Sequence, residues 1–133
     1  MSDTTDRLAA ARAAKEAKEI AAREAAAARE LEVLELDGRL EQELGPRGAY
    51  FEIVETLEGP IAVKLGEAVL HTRFQASKIQ DADVHEYVFP NVVHPSKEKY
   101  LEIVGRRPGV ALRCANALAT LYGAKANGEA GKF

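Results

Sequence analysis

The sequence predicts a mainly α protein of the α+β class: a long N-terminal helix, a β-hairpin and then a compact bundle of about four short helices. Three observations lead to this prediction. Residues 3–44 consist largely of Ala, Glu, Lys and Arg, the strongest helix formers. Two segments rich in β-branched and aromatic residues follow, separated by a turn. The last third contains short apolar stripes, each bounded by Pro or Gly.

The long helix is predicted to start at one of several polar capping residues and to end at Gly45-Pro46. Its first half, 7–29, has Leu8 and Ile20 as its only large aliphatic side chains, so it lacks the repeated apolar positions of a coiled coil. We expect this half to project into solvent. The second half is expected to pack on the domain through residues at helical spacing, namely Val33, Leu36, Leu40 and Leu44. Residues 1–44 are therefore predicted to be a separate helical segment.

The hairpin is predicted from two segments, 49–56 and 60–65, joined by the turn-forming residues 57–60. Residues 45–124 are expected to form one small domain in which the hairpin leans on the helices. Residues 125–133 are small and polar and are predicted to be a flexible tail.

Four short helices are predicted after the hairpin. The first presents Leu70, Phe74 and Ser77 to the core, and the second, capped by Asp81 or Asp83, presents Val84, Tyr87, Val88 and Val92 until Pro90 interrupts it. The third has Pro95 as its first residue, with His94 as a candidate cap, and ends at Gly105. The fourth runs from Pro108 to Gly123 with an apolar stripe of Ala111, Cys114, Ala115, Leu118, Leu121 and Tyr122.

Composition bounds the class of protein. The 133 residues suit one domain, and the net charge of −3 does not suggest a general polyanion binder. Residues 1–44 hold 7 basic and 11 acidic side chains, whereas 45–133 hold 11 and 10. The single Cys114 favours a buried reduced thiol. No apolar run is long enough to span a membrane, and the charged N-terminus does not resemble a signal peptide, so a cytoplasmic protein is expected.

The titratable residues do not form a pattern typical of catalysis. His71, His85 and His94 have no second metal ligand at a recognised spacing, so each is expected to lie at the surface or to cap a helix. Cys114 is expected to be core rather than a nucleophile. The turn at residues 45–48 lacks the Lys-Ser/Thr of a phosphate loop. We therefore expect no catalytic, metal-binding or cofactor-binding residues.

One basic cluster is present, made of Arg106, Arg107 and Arg113 with Lys97 and Lys99. A DNA-binding regulator would use residues 108–123 as a recognition helix. That helix carries a single charge, Arg113, whereas phosphate binding usually needs several converging cations. Nucleic-acid binding is therefore disfavoured, and loop arginines beside helix ends are the preferred interpretation.

Short motifs in the second half carry a resemblance to a known family. A helix closes in RLEQELGPRGAYFEIVE and is followed by GPIAVKLG, a helix near FQASK, VVHPSKEKYL, an RPG step and a last helix ending in LYGA. This order, over residues 39–124, resembles the tail assembly chaperones of long-tailed bacteriophages and prophages. Their motifs are a VV-x-P-S helix start, a P-G or P-L step and a closing L-x-G. His94 departs from the aromatic residue expected there.

The resemblance implies a non-enzymatic chaperone in the cytoplasm of a bacterial host cell. Such proteins coat the tape-measure protein and recruit tail tube subunits, and a homo-oligomer is compatible with this role. The interaction surface would be shallow and apolar, with low affinity per contact. The candidate partner-binding residues are Val84, Tyr87, Val88, Phe89, Tyr100, Val104, Arg106 and Arg107. Core packing remains the alternative role for most of the apolar ones.

The family is often made in two lengths by ribosomal frameshifting, which suggests a hypothesis for residues 130–133. Gly131-Lys132 can be encoded by a slippery heptamer, and reading the gene's nucleotides at codons 128–133 tests this. Alternatives to the chaperone are a structural phage protein retained in the virion, such as a head-tail connector or tail completion factor, and the DNA-binding regulator described above. An adaptor that uses the long helix as a spacer is a further alternative.

Overall fold

The computed structural model describes residues 2–123, which form a long helix, a small antiparallel sheet and four short helices. The predicted fold class is therefore confirmed. The flexible tail predicted at 125–133 and the frameshift hypothesis concern residues outside this range. The elements, in chain order, are α1 Ser2–Leu44, β1 Phe51–Thr56, β2 Gly59–Lys64, α2 Ala68–Gln75, α3 Asp81–Val88, β3 Val92–His94, α4 Lys97–Arg106 and α5 Gly109–Leu121, with a 3₁₀ turn at Phe89–Asn91.

Helix α1 ends where the sequence predicts. Gly45 has a φ of +114°, a backbone conformation that side chains disfavour, and its N–H donates to the Glu41 carbonyl at 3.0 Å. A Cβ atom at this position would lie 2.6 Å from the Tyr50 ring. Glycine is therefore required both by the turn and by the ring beside it.

The chain divides into two compact units, Met1–Leu34 and Glu35–Phe133, and the division falls inside α1. In the first unit every described side chain is exposed except Val33, which is half-buried. In the second unit Leu36 and Leu40 are buried, at 4% and 2% exposure. The apolar spacing at the end of α1 thus corresponds to residues that belong to the second unit.

The predicted hairpin forms between β1 and β2, with Thr56 opposite Gly59 and Phe51 opposite Lys64. Its turn is fixed by the Thr56 hydroxyl, which donates to the Gly59 carbonyl at 2.7 Å and accepts from the Glu58 N–H at 3.1 Å. Both faces of the hairpin are buried: one carries Val54, Ile61 and Val63, and the other carries Phe51, Ile53 and Ala62.

A third strand, β3, was not predicted. It pairs antiparallel with β2 through Val63 opposite Val92 and Ala62 opposite His94, which gives the order β1-β2-β3. The placement of Val92 on a helical face is therefore wrong. As predicted, Pro90 ends the preceding helix, because its ring and missing N–H do not allow the helix to continue.

Helix α4 begins two residues later than predicted. Its cap is Ser96, whose hydroxyl accepts the Lys99 N–H at 3.2 Å, so Pro95 is not the first helical residue and His94 is not the cap. Helix α5 follows the prediction closely. Pro108 precedes its first turn, and Gly123, with a φ of +97°, follows its end.

The main core lies between the sheet and α3, α4 and α5. Tyr87, Val88, Tyr100, Ile103 and Leu118 are each at most 1% exposed there. The predicted stripe of α5 is confirmed at Cys114, Ala115 and Leu118, which are fully buried, and Val110 joins them. Burial raises the pKa of the Cys114 thiol to about 12, so the thiol stays protonated.

Candidate functional site

An apolar groove of about 330 Å³ opens between α3, α4 and α5, a volume at the lower end of the range for ligand sites. Each wall is a helix. In α3 the lining residues recur at positions i, i+3 and i+4, and in α4 at i and i+4, so each helix presents one face to the groove. The lining residues are Ile79, Asp81, Val84, His85, Tyr100, Val104, Pro108, Ala111 and Leu112. We call this site the α3–α5 groove.

Large apolar side chains remain exposed at the groove. Leu112 is 45% exposed and Ile79 is 54% exposed. Ala111 and Val104 are partly buried beside them, and Val84 is buried. Apolar surface that lines a concavity without being covered is typical of a binding site.

The loop that carries Ile79 has a strained backbone. Ile79 has a φ of +53°, which is rare for a β-branched residue and costs of order 1–3 kcal/mol. Local hydrogen bonds hold the conformation: the Ser77 hydroxyl accepts the Ile79 N–H at 3.1 Å, and Gln80 and Asp83 form a capping box at the start of α3. Strain maintained by surrounding contacts is common at binding sites.

Tyr100 also lines the groove. It is 1% exposed, and its hydroxyl has no hydrogen-bond partner among residues 2–123. Burial raises the pKa of Tyr100 well above its ordinary value, so the hydroxyl stays neutral. A buried hydroxyl without a partner costs about 1–3 kcal/mol and calls for an explanation.

The predicted partner-binding residues fall into three groups. Val84, Tyr100 and Val104 line the groove. Tyr87 and Val88 are in the core, at 1% and 0% exposure, so no partner can reach them without unfolding α3. The third group comprises Phe89, Arg106 and Arg107, which lie outside the groove lining; the Phe89 ring stacks on His85 at 4.9 Å and lies 5.3 Å below the Lys97 ammonium.

The arginines of the basic cluster are engaged within the second unit. Arg106 donates to a Glu58 carboxylate oxygen at 2.7 Å, and Arg107 lies 3.6 Å from the other. The hydrogen bond from Arg106 holds the pKa of Glu58 below its ordinary value. Arg113 donates to the Glu55 carbonyl at 2.8 Å. Each of these guanidinium groups therefore contacts the hairpin, and the side chains of Arg106 and Arg107 remain 53% and 48% exposed.

Strand β1 is an edge strand, since β2 is its only partner strand in the described part of the chain. Its first residue, Phe51, also forms an isolated bridge with Arg47. Antiparallel pairs alternate between those that exchange backbone hydrogen bonds and those that turn these groups outward. Glu55 lies opposite Pro60, which has no N–H, so this pair is of the second kind. The outward backbone groups of β1 therefore belong to Phe51, Ile53 and Glu55.

Several of these outward groups already have partners. Gly48 N–H donates to the Phe51 carbonyl at 2.8 Å, and the Glu52 carboxylate accepts the Ile53 N–H at 2.9 Å. Together with the bond from Arg113 to Glu55, these contacts leave β1 a poor template for an added strand. Recognition by addition of a strand to β1 is thus disfavoured.

A second cluster surrounds His71, which was predicted to lie at the surface or to cap a helix. His71 is half-buried. Its Nδ1 lies 2.8 Å from the Tyr87 hydroxyl, and its ring stacks on Tyr122 at 4.6 Å. The Tyr122 hydroxyl in turn accepts the Gly66 N–H at 2.9 Å and donates to the Glu67 carbonyl at 3.2 Å. His71 thus helps to join α2 to α3 and to the end of α5.

We expect the free energy of unfolding to fall as the pH is lowered below about 6.5. Burial lowers the pKa of His71 in the folded protein, so the unfolded chain takes up the proton first and unfolding is favoured. Above that pH His71 is neutral in both the folded and the unfolded state, so it does not change the free energy of unfolding with pH. Urea unfolding at a series of pH values checks this, and His71→Gln is expected to flatten the slope. An unchanged slope in the variant would contradict the assignment to His71.

Sequence reasoning missed six groove residues, namely Ile79, Asp81, His85, Pro108, Ala111 and Leu112. Leu112 lies beside the apolar stripe of α5 rather than on it, and Asp81 was considered only as a helix cap. A large apolar residue off a stripe is the one feature that could have indicated Leu112. The positive φ of Ile79 could not be predicted from the sequence, because β-branched residues rarely adopt this conformation.

Within residues 2–123 no cluster of His, Cys, Asp or Glu has the arrangement of a metal site. None of the helices described combines the length and the apolar character needed to cross a membrane. No protein family matches the chain, and no curated protein or solved structure is significantly similar to it.

Proposed function

We propose that this chain is a protein-binding module that acts, without enzymatic activity, as a tail assembly chaperone of a long-tailed bacteriophage or prophage. Its partner would be the tape-measure protein, to which it recruits tail tube subunits in the cytoplasm of the host. The α3–α5 groove is the observation that carries the proposal, because it offers uncovered apolar surface with a strained loop at Ile79. The motif resemblance over residues 39–124 supplies the identity of the partner.

The groove suits a helical partner. Its walls are three helices, and an amphipathic helix can place an apolar side chain between them. Three outward backbone groups of β1 already have hydrogen-bond partners, which argues against an extended partner at that edge. A single small groove buries far less area than a stable interface of about 1,600 Å². Binding at each site is therefore weak, which allows tube subunits to displace the chaperone.

The alternative use of the basic cluster is not supported by the contacts. Arg106 and Arg107 are bound to Glu58, and Arg113 is bound to the β1 backbone. A phosphate group bound at Arg106 or Arg107 would lie close to the Glu58 carboxylate, and repulsion between these negative charges disfavours nucleic-acid binding.

We expect Leu112→Glu to weaken binding to the tape-measure protein encoded with this chain by about tenfold or more, because the introduced carboxylate would lose hydration when an apolar side chain packs against it. Leu101→Glu is a matched control. Leu101 is also 45% exposed, but it is not among the residues lining the groove. Isothermal titration calorimetry or co-purification with the tape-measure protein measures the difference.

Equal loss in both variants would mean that added charge, rather than the groove, disturbs binding. Absence of binding by the wild-type chain would overturn the chaperone proposal. Detection of the chain as a stoichiometric component of purified virions, by mass spectrometry, would favour a structural tail protein instead.

A further inference from the structure

We infer that the α3–α5 groove selects helical segments that carry a bulky apolar side chain and, about one turn away, a lysine or arginine that pairs with Asp81. This inference rests on the proposed function and specifies the chemistry of the partner. It arises from the distribution of charge around the groove rather than from its apolar lining.

Asp81 is the only carboxylate among the lining residues, and no Lys or Arg lines the groove. Its side chain forms no ion pair with any other residue in the range 2–123. Asp81 lies in the first turn of α3. The groove therefore has one negative charge at its rim that is not neutralised by the described part of the chain.

The spacing along α3 relates this charge to the apolar surface. Asp81, Val84 and His85 occupy positions i, i+3 and i+4, so the carboxylate lies one turn from the apolar wall. A partner helix that inserts an apolar side chain beside Val84 would cover part of the Asp81 carboxylate. A cation on the partner at i+3 or i+4 from its apolar side chain would offset the lost hydration.

The alternative occupants are less consistent with these features. An acidic segment would place like charges together at Asp81, which is unfavourable. A small apolar molecule would fill the cavity but would leave the carboxylate without a partner.

Two sets of fluorescein-labelled peptides test the inference by fluorescence anisotropy at low salt. The first set tiles the tape-measure protein encoded with this chain. The second is a model amphipathic helix with one Phe on its apolar face and Lys one turn away, together with a matched version that has Glu in place of Lys. The wild-type chain is expected to bind the Lys version about threefold to tenfold more tightly. Added salt should reduce this preference.

Substitutions at Asp81 provide the decisive comparison. Asp81→Asn is expected to abolish the preference, and Asp81→Lys is expected to reverse it toward the Glu version. Circular dichroism verifies that both variants keep their helices, and Asp81→Asn retains a polar side chain in the first turn of α3. Binding of the model peptides without a charge preference, or a preference unchanged in Asp81→Asn, would overturn the inference.

The two proposals fail in different ways. Binding of the model peptides that depends on Asp81, without binding of any tape-measure segment, would support the charge selection and overturn the tail-chaperone function. Binding of a tape-measure segment that depends on Leu112 but not on charge would support the tail-chaperone function and overturn the charge selection. Failure of both peptide sets to bind would overturn both.

Discussion

Replacing Phe51 by Ala is expected to lower the free energy of unfolding by about 3–5 kcal/mol, the usual cost of deleting a buried aromatic ring. Phe51 is 0% exposed, and it is the largest buried side chain of the hairpin. Its removal leaves a cavity on the face of the hairpin that also carries Ile53 and Ala62. Urea unfolding followed by the near-UV circular dichroism of the tyrosines measures this loss.

Leu57→Ala is the control for this substitution. Leu57 lies in the turn of the same hairpin and is 77% exposed, so its truncation should change stability by no more than about 0.5 kcal/mol. A similar loss in both variants would indicate that the hairpin is sensitive to any truncation and that Phe51 has no special role in the core.

Replacing Gly66 by Ala is expected to cost about 2–4 kcal/mol, from overpacking and the loss of a buried hydrogen bond. A Cβ atom at this position would lie 2.0 Å from the Asn91 Oδ1 atom. Asn91 is 3% exposed, and its Nδ2 donates to the Tyr87 carbonyl at 3.0 Å, so it cannot move without breaking that bond. Thermal unfolding compared with the wild type provides the measurement.

Gly38→Ala is the matched glycine substitution. Gly38 lies inside α1, and no atom lies within 4 Å of an added Cβ, so the variant should gain about 1 kcal/mol of helix stability. If Gly66→Ala unfolds at the same temperature as the wild type, Asn91 does not pack closely against Gly66.

Much of the fold follows from local chemistry that is visible in the sequence. Gly45-Pro46 ends α1, Pro90 ends the helical part of the segment at 81–88, and Gly123 follows α5, because each residue type restricts the backbone in the way these ends require. The hairpin was predicted for the same reason. Its two strands are adjacent in sequence, so a short turn between β-forming segments suffices to define it.

Features that depend on distant residues were not predictable in this way. Strand β3 has three residues, and it is a strand only because β2 lies beside it. Periodicity correctly placed Tyr87 and Val88 on the apolar face of α3, but it does not distinguish a face covered by the same chain from one that binds a partner. Here α5 and α2 cover that face.

The groove was likewise not predictable from local sequence patterns. Asp81, Tyr100 and Leu112 come from three helices, and their proximity follows from the packing of those helices rather than from any local pattern. The basic cluster is similar, since Glu58, which binds Arg106 and Arg107, is about fifty residues away in sequence. Ion pairs of this kind cannot be read from charge counts.

The exposure of the first unit has a consequence for how the stability of this protein is measured. Helical structure there is supported by intrinsic propensity rather than by buried side chains, and such helices unwind gradually as temperature rises. The second unit has a core and is expected to unfold cooperatively. Far-ultraviolet circular dichroism sums both processes, so its midpoint belongs to neither. The chain has no tryptophan, and the buried rings of Tyr87 and Tyr100 are therefore the natural spectroscopic reporters of the cooperative transition.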